Sequence, residues 1–108
     1  MKIKTNEASG VVLDWMVAKC EGIQDSEFVR THMDAWPYST DWSQGGPIIE
    51  REGISIVGFD PDPKQWNAHQ YGIYLMENCP TPLIAAMRCY VAAKLGDDVV
   101  IPNELIGE

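Results

Sequence analysis

Asp41, Glu50 and Arg51 are the side chains of this sequence whose types could combine into chemistry. Two carboxylates can divide general acid and general base work, and a guanidinium can grip an anion through two parallel hydrogen bonds. That work needs a concave pocket and at least one shifted pKa, which spacing along a chain cannot supply. No nucleophile–base pair is evident, so no catalytic residue is assigned. Tyr38, Ser39, Thr40 and Trp42 lie just upstream of or beside Asp41, and Gly45 and Gly46 lie between the two carboxylates. Together these nine residues form a candidate binding set, because Trp and Tyr are favoured interface anchors.

The stretch from Tyr38 to Glu52 has two readings. Ser39, Thr40 and Asp41 are residue types that bond nearby backbone amides. Gly45 and Gly46 can take positive φ without a Cβ clash, and Pro47 biases Gly46 toward an extended conformation. The chain is therefore expected to turn here and leave extended, with Ile48 and Ile49 opening an apolar run that resumes at Ile54, Ile56 and Val57. The plainer reading is a loop held by aromatic anchors that leads into a strand. The sharper one is a binding loop that exposes Trp42, offers backbone amides at the Gly-Gly turn, and uses Asp41, Glu50 and Arg51 as polar contacts. Neither a P-loop nor a dinucleotide-binding glycine pattern is present.

Other segments supply the scaffold. Ile3 and Thr5 alternate with polar neighbours, as in a short edge strand. Ser9 is placed to cap a helix beginning near Val11, whose face is Leu13, Met16, Val17 and Cys20, with Gly22 as its stop. Trp15 reads as a core anchor. Asp25 or Ser26 would cap a short helical turn through Phe28 and Val29. Gly53 to Phe59 reads as a strand, Asp60-Pro61-Asp62-Pro63 as a turn, and Trp66 to His69 as a second strand. Tyr71 to Met76 either extends that strand or forms a short helix. Thr81 and Pro82 open a helix that runs to about Leu95 and stops at Gly96. It is apolar nearly all round, so it is expected to be buried, with Arg88 reaching a carboxylate or the surface. Val99 to Pro102 reads as a short strand or extended packing segment. The expected fold is α+β: one domain over residues 1–108, with a small, mainly antiparallel sheet packed by two helices. A mostly helical domain with one hairpin is the other arrangement left open.

The chain has 108 residues and a formal net charge of −8. An acidic surface repels phosphate backbones and no basic cluster offers a footprint, so direct nucleic-acid binding is not expected. No apolar run is long enough for a membrane span, and the N-terminus lacks a signal-peptide core, which points to the cytoplasm. Cys20, Cys79 and Cys89 are odd in number and scattered, as expected of reduced thiols. His32 and His69 share no metal-ligand spacing with them, and neither metal nor cofactor is expected.

Three segments carry a resemblance: Leu13-Asp14-Trp15 with Val17-Ala18-Lys19-Cys20, then Tyr38 to Glu52, then Thr81 to Arg88 and on to Lys94-Leu95-Gly96-Asp97. Together they resemble the NinX family of lambdoid bacteriophages, small proteins also found in prophages. The likeness spans almost the whole chain, with little carried by residues 22–35 and 60–78. It implies an accessory phage product in the bacterial cytoplasm, from a region near recombination and late-regulation genes, and it supplies no catalytic residues. The expected function is non-enzymatic binding of a host or phage protein. The alternative is a small enzyme or small-ligand binder using Asp41, Glu50 and Arg51. A DNA-mimicking inhibitor rests on charge alone. The oligomeric state is left open.

Overall fold

The helix that follows Thr81 is the element on which the others pack. The computed structural model describes residues 1–60, 65–70 and 74–106. Within it, α4 runs over Pro82–Leu95, capped by Thr81, whose hydroxyl accepts a hydrogen bond from the Ile84 amide at 3.0 Å. Proline at the first helical position gives up a hydrogen bond that no helix start makes. Gly96, at φ 92°, ends it. Leu83, Met87, Tyr90 and Val91 on one stripe and Ala85, Ala86, Cys89 and Ala92 around it are all buried.

Burial on every side needs partners on every side, and three groups supply them. One is an antiparallel sheet of β2 (Ile54–Phe59), β3 (Gln65–Gln70) and β4 (Tyr74–Cys79), in the order β2-β3-β4. Ile54, Ala68, Met76 and Cys79 are its buried side chains, and the sheet packs on α4, while Ser55 and Val57 are exposed. Its ladder is irregular between Trp66 and Ala68, where the Asn67 side chain accepts the Asn78 amide at 3.0 Å. The second is α1 (Gly10–Cys20), which buries Leu13, Trp15, Met16 and Val17 and starts after Ser9. Beyond it, Ser26 caps the short α2 (Glu27–Thr31). The third is α3 (Trp42–Glu52), which contacts α4. A separate antiparallel pair, β1 (Lys2–Lys4) with β5 (Asp98–Val100), joins the two ends of the chain. The Met1 amino group also donates to the Ile101 carbonyl at 2.9 Å.

This is an α+β fold with two antiparallel sheets. It corrects the sequence reading in two places. The stretch expected to turn at Gly45-Gly46 and leave extended is helical from Trp42 to Glu52, with Pro47 inside the helix, so Ile48 and Ile49 are helical rather than the start of a strand. A third long helix therefore joins the two expected. The physical reason lies in the neighbours: a Cβ on Gly45 would sit 2.6 Å from both Leu83 Cδ1 and the Tyr38 carbonyl oxygen. Glycine is there for close approach. Gly46, the residue before proline, lacks the Cβ that would meet the Pro47 ring in a helical conformation.

The second correction concerns Arg88. Only 8% exposed, it donates Nε to the Ala8 carbonyl at 2.7 Å, and no ion pair to it is formed among the described residues. A buried guanidinium can be met by a backbone carbonyl, whose partial charge and fixed direction take the place of a carboxylate. The turn expected at Asp60 to Pro63 and the undecided segment Tyr71 to Met76 reach into residues outside the described ones. Residues 74–76 lie in β4.

Candidate functional site

The turn before α3 is built by its own backbone. The Pro37 carbonyl accepts from the Asp41 amide at 2.9 Å, and the Trp36 carbonyl from the Tyr38 amide at 2.9 Å. Tyr38 is buried in the core. Burial is the first cause that pushes its hydroxyl pKa up, and the nearby Glu21 charge adds to it. Ser39 is only 2% exposed, and its amide donates to Asp14 Oδ1 at 2.8 Å. Asp14 is itself buried in α1, and desolvation raises its pKa against the opposing effect of Ser39. The Ser39 hydroxyl lies near that carboxylate without meeting hydrogen-bond geometry, the one buried side-chain polar atom so placed among the described residues.

Asp41 serves as the N-cap of α3. Its Oδ1 accepts from the Ser43 hydroxyl at 2.7 Å and the Ser43 amide at 2.9 Å, and these bonds hold its carboxyl below the ordinary range. Satisfying the orphan amides at a helix start is the usual task of an aspartate in this place. Next to it, Trp42 is 53% exposed. Its ring borders a notch of about 240 Å³ walled by Ser39 and Thr40 on its own side and by Thr81 to Ile84 of the α4 start on the other. The α4 amides offer little to an anion there, because Pro82 has none and Ile84 is satisfied by Thr81. The notch suits an apolar group.

Arg51 is at the far end of α3 and is occupied. Its Nη atoms donate to Glu21 at 2.6 and 3.1 Å, one also reaches the Tyr90 hydroxyl at 3.1 Å, and Nε donates to Glu52 at 2.9 Å. The Tyr90 hydroxyl in turn donates to Glu21 at 2.5 Å. The cluster ties the C-terminal ends of α1 and α3 to the middle of α4. Hydrogen bonds from Arg51 lower the Glu21 pKa, and burial first, then Glu21, raises that of Tyr90. Glu50 is exposed near the same end.

The structure thus brings Ser39, Thr40 and Trp42 together around one notch, with Asp41 capping beside them and Gly45 beneath, against Leu83. It does not bring Asp41 to Glu50 and Arg51. Nine residue steps along α3 separate the two carboxylates by ~13 Å along the axis, too far to share one reacting group. Two participants were not singled out from the sequence. Asp14 was signalled only as an acidic residue inside the apolar run of α1. Thr81 to Ile84 were legible as a helix start but not as the opposite wall of a notch.

Cys20, Cys79 and Cys89 are free thiols. Burial pushes Cys20 up to about 12 and Cys89 up to about 11, which leaves little thiolate at neutral pH. Among the described residues, no group of three or more His, Cys, Asp or Glu is arranged to hold a metal ion, and no helix is long and apolar enough to cross a membrane. A family model described as NinX of bacteriophage P22 matches residues 4–94 of the chain. No curated protein matches it.

Proposed function

The chain belongs to the phage P22 NinX family, and from that membership we propose that it is an accessory protein that binds a host or phage protein in the bacterial cytoplasm, without catalysing a reaction. The partner's apolar side chain enters the notch beside Trp42. The observation that carries this reading is an indole half exposed at the rim of an apolar notch, on two helix starts that are themselves fixed by caps. A rigid aromatic beside a pocket is the usual form of an interface anchor. Duplex DNA is the wrong partner for a chain of net charge −8.

The experiment compares tagged wild type with Trp42→Ala, captured from phage-infected cells and then re-measured against the retained protein in purified form. The expected result is an unchanged thermal midpoint and an affinity weaker by about 2 kcal/mol, roughly thirtyfold. A collapsed midpoint makes Trp42 a structural plug. Equal affinity at an equal midpoint removes the notch from the interface.

A further inference from the structure

A second surface, sharing no residue with the Trp42 notch, has the form of a strand-shaped vacancy. β4 pairs with β3 on one edge, and no strand pairs with its other edge among the described residues. Along that edge runs a cleft of about 630 Å³, lined by Leu75 to Asn78 on one side and by Lys4, Asn6, Asp97 and Asp98, at and beside the β1–β5 pair, on the other. Leu75 is exposed and Met76 buried, so they point to opposite faces of the sheet. A cleft touching both must run along the edge of the strand rather than over one face.

An open edge presents unpaired N–H and C=O groups, and natural proteins blunt such edges with lysine, proline or very short strands. β4 has six residues and neither lysine nor proline, and its ladder irregularity and the left-handed Asn78, at φ 58°, confine the regular open edge to Tyr74–Glu77. A four-residue strand is ~13 Å long and lies ~4.8 Å from its neighbour. The cleft's charge is one-sided: Glu77, Asp97 and Asp98 face a single cation, Lys4.

We propose that the free edge of β4 accepts an extended, cationic peptide segment as an added strand, lying between β4 and the β1–β5 pair. Main-chain hydrogen bonds to β4 hold the segment, and its lysines or arginines meet Glu77, Asp97 and Asp98. The same acidity repels a second copy of this chain, whose β4 carries the same Glu77.

The test selects random peptides of about ten residues on the immobilised full-length protein. Binding is then measured in solution together with amide hydrogen exchange. The expected result is that retained peptides alternate basic and β-branched residues, slow exchange at the β4 amides that face the open edge, and bind at least about tenfold more weakly to the doubly charge-reversed Glu77→Lys, Asp98→Lys protein at low salt. Both substituted side chains are exposed, and an unchanged thermal midpoint confirms that the variant folds. The proposal is overturned if no peptide is retained, if retained peptides are not basic, or if they leave β4 exchange unaltered. It is equally overturned if sedimentation shows the chain already dimerised through β4.

Discussion

Gly45 and Leu83 bring α3 and α4 together at a point where no Cβ fits, since one built on Gly45 would lie 2.6 Å from Leu83 Cδ1. The same Cβ would lie 2.6 Å from the Tyr38 carbonyl oxygen, so the contact also sets the turn that leads into α3. Gly45→Ala should therefore destabilise the protein by about 1–3 kcal/mol, although alanine is the better helix former. The midpoint of urea denaturation measures this. A midpoint equal to or above wild type would show that Leu83 yields and that the close approach is not needed.

Pro47 leaves the Ser43 carbonyl without its helical donor, and Gly46 is there to tolerate it. A Cβ on Gly46 meets nothing within 4 Å beyond its chain neighbours, and Pro47 is exposed. The double variant Gly46→Ala, Pro47→Ala should raise stability by about 1–2 kcal/mol, because it restores one hydrogen bond and lowers the backbone entropy lost by glycine. A fall in the urea midpoint would mean that the Pro47 geometry is required for α3 to dock.

Met87, fully buried, faces the interior from the middle of α4. Met87→Ala should cost about 2–5 kcal/mol through lost transfer energy and the cavity left behind. Chemical denaturation measures the loss, and an unchanged midpoint would remove α4 from the core.

Glu21 supplies a pH dependence of known sign. Hydrogen bonds from Arg51, then from Tyr90, outweigh burial and lower its pKa from the ordinary value of 4.5. A depressed folded-state pKa contributes stability that is in place above the unfolded value and is lost as pH falls through the folded one. Glu21→Gln should be less stable than wild type by about 1 kcal/mol near neutral pH, a modest figure because Arg51 is half exposed. That gap should close as pH is lowered through the acid range below 4.5. Urea midpoints of both proteins over that range measure it, and a constant gap would show that the Glu21 carboxylate is not held by Arg51.

The sequence by itself determined the elements whose signals are local. Thr81, Pro82 and Gly96 bound α4 because cap, proline and stop act within a turn of the helix they define. The alternation at Ile54 and Ile56 marks β2 for the same reason, whereas the sequence left the cap of α2 open between Asp25 and Ser26 and the structure gives it to Ser26. The half-exposed Trp42 was also legible, from its place between Asp41 and Ser43. Only the tertiary structure decided α3. Locally, Gly45-Gly46-Pro47 reads as a break, yet α3 runs through it, packed on α4 and Tyr38 where only a residue without a Cβ fits at Gly45. The roles of the charged residues were decided in the same way. Arg51 is satisfied by Glu21, thirty residues earlier, and Arg88 by the carbonyl of Ala8, eighty residues earlier. Such partners are fixed by how helices pack, and packing is a property of distant residues brought together, which no local pattern carries.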